Sequence, residues 1–353
     1  MAEIRSTEQY HDGHQDGLEP VESLDLSKIH SFADMLDAYR HTSFGARQLG
    51  EALSILEEMA SDPDCFVVCT VSGAMTVAKM GLVLCDMIDR GYVDAVVSTG
   101  ALQAHGMIEG TGMKHFKHRP DMDDTSLWEK GYDRVYDTLE LEQNLDALEL
   151  IVREVLNVVP PDQPIGSHDI CRMLGEHLHE AFPGQRGILK SAYEQKVPVY
   201  IPAFTDSELG LDVAVHNRAR RAKGRGPIDF DPFRDLNDYT DRIKKAERLG
   251  IFTIGGGVPR NWAQQVGPYL EISRNRLGLE GNETQRFKYG IRICPEPVHW
   301  GGLSGCTYSE GTSWGKFVPV EDGGRYAEVH SDATLVWPIL VKALMERVPR
   351  KAQ

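Results

Sequence analysis

The residues with the clearest chemical potential lie near the C-terminus, between Gly301 and Lys316, where the chain reads GGLSGCTYSEGTSWGK. A glycine-rich loop leads to an acid, then to an aromatic and a lysine separated by one glycine. A lysine becomes a useful nucleophile only when its amine is partly neutral, and desolvation beside an aromatic ring lowers its pKa toward that state. Trp314 can supply such a wall, and Glu310 can hold an ammonium group of a substrate. Imine chemistry at Lys316 is the reaction this grouping suggests, although a lysine beside Trp and Gly is, by spacing alone, more often a surface residue.

Other polar groupings carry less. His115 and His118, and His177 and His179, have loose metal-like spacing, but neither pair has the i, i+4 placement of a helical zinc site. The expectation is that no metal is bound. Six cysteines (Cys65, Cys69, Cys85, Cys171, Cys294 and Cys306) include no Cys-x-x-Cys, which predicts reduced, structural thiols. Cys65 and Cys69 should share one face of a strand as small core residues.

The elements that must position these groups alternate between strand-like and helix-like runs, the pattern of an α/β domain on a largely parallel sheet. Strands are predicted at 65–71, 93–98, 197–203, 251–254, 289–293 and 326–329, and helices at 46–59, 75–90, 142–158, 168–181, 235–249, 261–270 and 331–347. Residues 1–25 read as a polar leader and 26–350 as one catalytic domain. The stretches 218–232 and 273–288 read as insertions or linkers. Several strands end in small or polar residues: Ser72-Gly73-Ala74, Ser98-Thr99-Gly100-Ala101, Thr205-Asp206-Ser207, Gly255-Gly256-Gly257 and Ser331-Asp332-Ala333. In an open α/β sheet these carboxyl ends line the ligand crevice, and glycine lets a nucleotide approach the backbone. A dinucleotide-type site is therefore expected, although no Gly-x-Gly-x-x-Gly is present.

Lys+Arg 38 against Asp+Glu 53 gives a formal charge of -15. Such a chain repels nucleic acid and anionic membranes and favours cationic partners. No apolar run approaches the roughly 20 residues of a membrane span, and the polar N-terminus lacks the features of a signal peptide. A cytoplasmic location is expected.

Ser313-Trp314-Gly315-Lys316, with Glu310 before it and Ser331-Asp332-Ala333 after it, resembles the active-site region of the deoxyhypusine synthase family. The resemblance extends from about residue 25 to 350 through YRHTSF at 39–44, VSTGA at 97–101, PVYIPAFTDSELG at 198–210 and GGGV at 255–258, all in the family's order. It implies a Rossmann-like, doubly wound sheet with helices on both faces, NAD as cofactor, and a homotetramer with NAD sites at subunit interfaces. It also implies the reaction: hydride removal from a polyamine such as spermidine, capture of an aminobutyl group as an imine on Lys316, transfer to an acceptor amine, and reduction of the new imine. In the family the acceptor is a lysine of a translation factor.

Carried over by motif, the implied NAD residues are Gly73, Ala74, Met75, Thr99, Gly100, Ala101, Asp206, Gly256, Asp332 and Ala333. Asp206 and Asp332 would be ribose or nicotinamide-side partners, their alternative being helix N-caps. Lys316, Glu310 and Trp314 carry over on the amine side. Departures alter the rest. Ala104-His105 stands where the family has two glutamates, Leu211 replaces an aspartate with Asp212 adjacent, Asn261 replaces a histidine, and Trp300 and Leu303 fall on two aspartates. His105 can act as an acid or base near neutral pH or accept a hydrogen bond from an amine. The pattern looks like the divergent bacterial-type branch, for which a small diamine acceptor, giving homospermidine, is an alternative to a protein lysine. A silent NAD- or polyamine-binding homologue is the reading from a different class.

Overall fold

The computed structural model describes residues 6–160, 163–278 and 285–351. Its strands are β1 (Cys65–Val71), β2 (Ala95–Ser98), β3 (Phe116–Lys117), β4 (Tyr132–Val135), β5 (Thr138–Leu141), β6 (Val199–Tyr200), β7 (Arg248–Ile254), β8 (Phe287–Ile293) and β9 (Arg325–Val329). The helices are α1 (Phe32–Arg40), α2 (Phe44–Ser61), α3 (Gly81–Asp89), α4 (Gly100–Gly110), α5 (Asp124–Glu129), α6 (Glu142–Asn157), α7 (Ser167–Ala181), α8 (Ile188–Glu194), α9 (Glu208–Ala222), α10 (Pro232–Ile243), α11 (Gly257–Gln264), α12 (Val266–Leu277), α13 (Tyr308–Ser313) and α14 (Ala333–Arg347).

Six strands form one parallel sheet in the order β6-β2-β1-β7-β8-β9. The chain builds outward from β1 through β2 to β6, then begins again at β7 on the other side of β1. That reversal creates a switch point between β1 and β7, where Val71 pairs with Ile254. Ligands bind beyond the strand carboxyl ends at such a point. The strand β1 shows why both faces are covered. Val67, Cys69 and Val71 enter a core with Leu56 of α2, Leu84 of α3, Leu174 of α7 and Leu340 of α14. Val68 enters a second core with Tyr239 of α10, Ala263 of α11, Val266 of α12 and Tyr308 of α13. The doubly wound α/β class expected from sequence is the class found.

Cys65 and Cys69 lie in the same core, and all six cysteines are free thiols. No helix among the described residues is long and apolar enough to cross a membrane. Residues 6–25 are almost wholly exposed.

Several boundaries differ from expectation for local reasons. The helix predicted at 75–90 begins only at Gly81, because Lys79 takes a left-handed φ of 65 and breaks the pattern. The helix predicted at 261–270 is two, α11 and α12, meeting at Gln265. The helix predicted to 249 stops at Ile243, and Arg248 already belongs to β7. Residues 218–222 are no linker but the last turns of α9, whose buried stripe is Leu209, Val213, His216 and Arg220. In the charged stretch 273–288, residues 273–277 finish α12 and 287–288 begin β8, while 279–284 lie outside the described residues. A second sheet, antiparallel in the order β3-β5-β4, is not anticipated at all.

Candidate functional site

Two cavities open at the carboxyl edge of the main sheet, on helices of opposite faces. The first, about 670 Å³, lies where the loops after β1, β2 and β6 meet. Gly73, Ala74, Thr99, Ala101 and Asp206 line it together with His105, Glu208 and Leu211. Gly73 has a φ of +79, which side chains rarely adopt, and a Cβ there would meet only Met75 Cε at 3.6 Å, so the backbone is open to a ligand. Gly100 is different. A Cβ there would fall 2.1 Å from Ser207 Oγ, so its glycine lets the β2 and β6 loops close on each other. Thr99 and Ser207 cap α4 and α9, accepting from Leu102 N–H at 3.2 Å and Gly210 N–H at 3.1 Å.

Five predicted residues stand apart from this cavity. Met75 packs against the core. Asp332 caps α14, accepting from Thr334 N–H at 2.8 Å, and the following Ala333 is buried. Asp212 does not line the cavity. Burial pushes its carboxyl up to about 6, with Glu149, Glu208 and Asp146 adding like charge. Gly256 sits between the two cavities: its N–H donates to Ser72 Oγ at 2.9 Å, and a Cβ would strike Ser304 Cα at 2.6 Å.

The second cavity, about 320 Å³, contains Lys316, Glu310, Trp314 and Asn261, the amine-side residues expected from sequence, with Arg260, Gln264, Leu303 and Cys306. The turn after α13 sets the lysine. Gly315 has a φ of +71, Lys316 N–H donates to Gly311 O, and Lys316 O accepts from Phe287 N–H at 3.0 Å beside β8. Lys316 is only 6% exposed, and its Nζ donates to Asn261 Oδ1 at 3.0 Å. Burial holds the ammonium pKa below its ordinary value and Arg260 adds to this, while Cys306 and Glu310 oppose it. Lys316 forms no ion pair among the described residues. The Trp314 ring centroid lies 5.9 Å from Nζ, but the ring is 65% exposed, so it walls the lysine on one side only.

Two buried arginines fix the glycine-rich loop. Arg292 donates to Cys306 O at 2.8 Å and pairs with Glu328 at 2.8 Å, and Arg260 donates to Cys306 O at 2.7 Å. Among the described residues, Arg260 Nε and Nη2 and Gln264 Nε2 have no partner.

The polar surroundings of the two cavities that sequence reasoning misses are Glu140, Glu208, Arg260 and Arg292. His105 Nδ1 lies 3.2 Å from Oε2 of the fully buried Glu140, on the unanticipated strand β5. The alternation Leu139-Glu140-Leu141 is the one local signal for that strand. A buried charge at β8, Arg292, is signalled only by its place in an apolar run.

The deoxyhypusine synthase family model matches residues 34–344. A protein named "Probable deoxyhypusine synthase 2" from Methanosarcina acetivorans is 31% identical over 331 residues, covering 93% of this chain and 90% of that protein. The like-named protein of Archaeoglobus fulgidus is 31% identical over 304 residues, 86% of this chain and 95% of its own length. "Deoxyhypusine synthase-like protein" from Chlorobaculum parvum is 31% identical, covering 91% and 88%. Among solved structures, "Crystal Structure of a putative deoxyhypusine synthase from Entamoeba histolytica" superposes with a TM-score of 0.60 at 13% identity, covering 94% of this chain and 99% of that one, a likeness of fold.

Proposed function

The chain belongs to the deoxyhypusine synthase family, and from that premise we propose that it is an NAD-dependent aminoalkyl transferase with Lys316 as its covalent nucleophile. Family membership supports a transferase moving an aminobutyl group. The observation that carries the finer reading is the buried Lys316, without an ion pair among the described residues, whose pKa is lowered by desolvation and whose Nζ is aimed by Asn261. A lysine so placed presents a neutral amine at lower pH than a surface lysine and attacks an imine carbon. Glu310, on the rim, anchors the distal ammonium group of a polyamine such as spermidine, and Trp314 covers the methylene chain.

The fit to NAD rests on the first cavity. Its 670 Å³ suits a cofactor, and the open backbone at Gly73 and the groups of Thr99 and Asp206 provide close approach and hydrogen bonding. Hydride acceptance and return is the chemistry that NAD supplies when bound there. The chain's own residues bind and orient the amine, exclude water from the lysine imine and release it to an acceptor amine.

Water exclusion around Lys316 favours a homotetrameric assembly. Trp300, Trp314, Leu303 and Val298 form an exposed apolar rim beside the lysine, a surface suited to cover by another subunit. In this reading the acceptor is a protein lysine or a small diamine. The protein acts in the cytoplasm, without nucleic acid or membrane as partner.

Incubation with NAD and spermidine or putrescine, followed by borohydride reduction, is expected to add an aminobutyl mass to Lys316. Absence of an adduct with every polyamine tried overturns the reading. Product mass with putrescine as sole acceptor separates homospermidine formation from transfer to protein. Thermal stabilisation by NAD or a polyamine with neither adduct nor turnover in the intact, unsubstituted protein would favour a binding homologue instead.

A further inference from the structure

The first cavity holds an imidazole whose surroundings exceed what cofactor binding needs. His105, on α4, places Nδ1 against Glu140 Oε2 at 3.2 Å, while its Nε2 faces Glu208, a cavity-lining residue, with Oε1 at 3.7 Å. Glu140 is completely buried, and its other oxygen accepts from Leu141 N–H at 2.8 Å and Asn144 Nδ2 at 2.9 Å. Burial alone would push this carboxyl up. The interactions with His105, His115, Asn144 and Leu141 outweigh burial and hold it well below the usual carboxylate range. An ionised carboxylate can only accept, so Nδ1 of His105 carries the proton and the lone pair of the neutral ring sits on Nε2.

The far side of the network decides between proton handling and metal binding. His105, His115 and Glu140 bring one ligand atom each within 4.8 Å of one another. His115 Nε2 lies 2.6 Å from Glu140 Oε2, near enough for charge contact but off the line of a hydrogen bond. Its Nδ1 lies 2.6 Å from Lys79 Nζ. The lysine ammonium is the donor there, so the ring proton of His115 sits on Nε2, the nitrogen a metal would need.

We infer that His105 is the proton acceptor of this cavity, held in its tautomer by Glu140, and that it deprotonates the ammonium group at the near end of a polyamine that spans both cavities, Glu208 holding this end and Glu310 the distal one. The substrate class rests on the transfer reading above; the tautomer does not. In the step, a substrate N–H bond breaks and an Nε2–H bond forms. The nitrogen keeps its electron pair, and no electron is transferred. That free pair is what hydride loss or attack on an imine carbon requires. Glu140 and Glu208 offset the imidazolium charge, and Glu208 Oε2 is a shielded oxygen without a partner among the described residues. The charged groups facing His105 are Glu140 from β5, Glu208 from α9, Asp133 from β4, and His115 with Lys79 behind it. Asp206 shares the cavity.

The test uses the full chain labelled with nitrogen-15 in histidine. Nuclear magnetic resonance should show neutral His105 as the Nδ1–H tautomer, and Glu140→Gln should change that tautomer population. In turnover assays Glu140→Gln should lower kcat about a hundredfold with little change in KM. It should also move the acidic limb of the rate profile to lower pH, because loss of a neighbouring carboxylate disfavours the imidazolium. Glu140→Asp should restore part of both. Should Glu140→Gln fail to fold, His105→Gln, at the cavity surface, should remove the acidic limb. An unchanged tautomer in a folded Glu140→Gln, a persistent acidic limb in His105→Gln, or stoichiometric zinc binding lost in His115→Ala overturns the inference. The tautomer measurement needs no NAD, amine or lysine adduct, so its failure is separable from failure of the transfer reading.

Discussion

The two cavities flanking the β1/β7 switch point are built in opposite senses. In the first, the side chains are already engaged by the chain itself. Thr99 and Ser207 cap helices, Glu140 is saturated, and among the described lining residues the unpartnered buried side-chain atom is an acceptor, Glu208 Oε2. Around Lys316 the unpartnered atoms among the described lining residues are donors, on Arg260 and Gln264, and the rim is apolar and exposed. The first cavity is a finished, preorganised surface; the second holds a buried lysine under an incomplete roof. Under the proposed function, a preorganised cofactor side and an amine side closed by something else would be a workable division for a reaction that must bind first and exclude water afterwards.

The largest expected effect that tests this division comes from Lys316→Ala. It should abolish borohydride-trapped adduct while thermal stabilisation by NAD survives, measured by mass spectrometry and melting. Loss of both would mean that the cavities are one site.

Arg292→Met tests the scaffold of the second cavity. Breaking the buried pair with Glu328 should cost about 3–5 kcal/mol in urea unfolding, because the carboxylate is left without its partner. Asp206→Ala tests the first cavity, with NAD affinity falling about tenfold by calorimetry if one hydrogen bond is lost. Adduct should still form at saturating NAD.

Asn261→Asp sharpens the account of the nucleophile. A carboxylate in place of the amide beside Nζ favours the ammonium, so the pH at which Lys316 becomes reactive should rise by at least about one unit. Reductive alkylation with a small aldehyde across pH measures this without cofactor. The smallest effect is expected at Asp212. Its folded pKa of about 6 lies above the ordinary 3.8, so the folded state binds the proton more tightly. The penalty is present at pH 7–8 and relieved as pH falls through about 6 toward 4. Asp212→Asn should raise Tm modestly at pH 8 and flatten that pH dependence.

The main sheet is legible because strands buried on both faces are short apolar runs, as in CFVVCTV at β1, and because their ends carry Gly, Ser and Asp. Lys316, Glu310, Trp314 and Asn261 are likewise legible, and the fold brings them together. The β4–β5 hairpin is not, since its turn places Tyr136 at a φ of 54 without the Gly or Asn that marks such turns. Missing that hairpin hides Glu140. The C-terminal part of α9 is masked by its own basic residues: the run from Arg218 looks solvated, yet Arg220 is buried and donates to Gly226 O at 2.7 Å. Asp332 illustrates the reverse case, in which one local pattern serves equally for a ligand contact and a cap, and the cap is what the backbone uses.

The Ser72 hydroxyl has a mechanical consequence. It accepts from Gly256 N–H at 2.9 Å and donates to Ile254 O at 3.3 Å, while its own N–H reaches the same carbonyl at 3.1 Å. One side chain therefore rivets the β1 loop, which leads into the first cavity, to the glycine turn that leads into the helix of the second. The two loops cannot slide past each other without shearing that rivet, so the spacing between the two cavities within one chain is set by the sheet rather than by whatever occupies either of them.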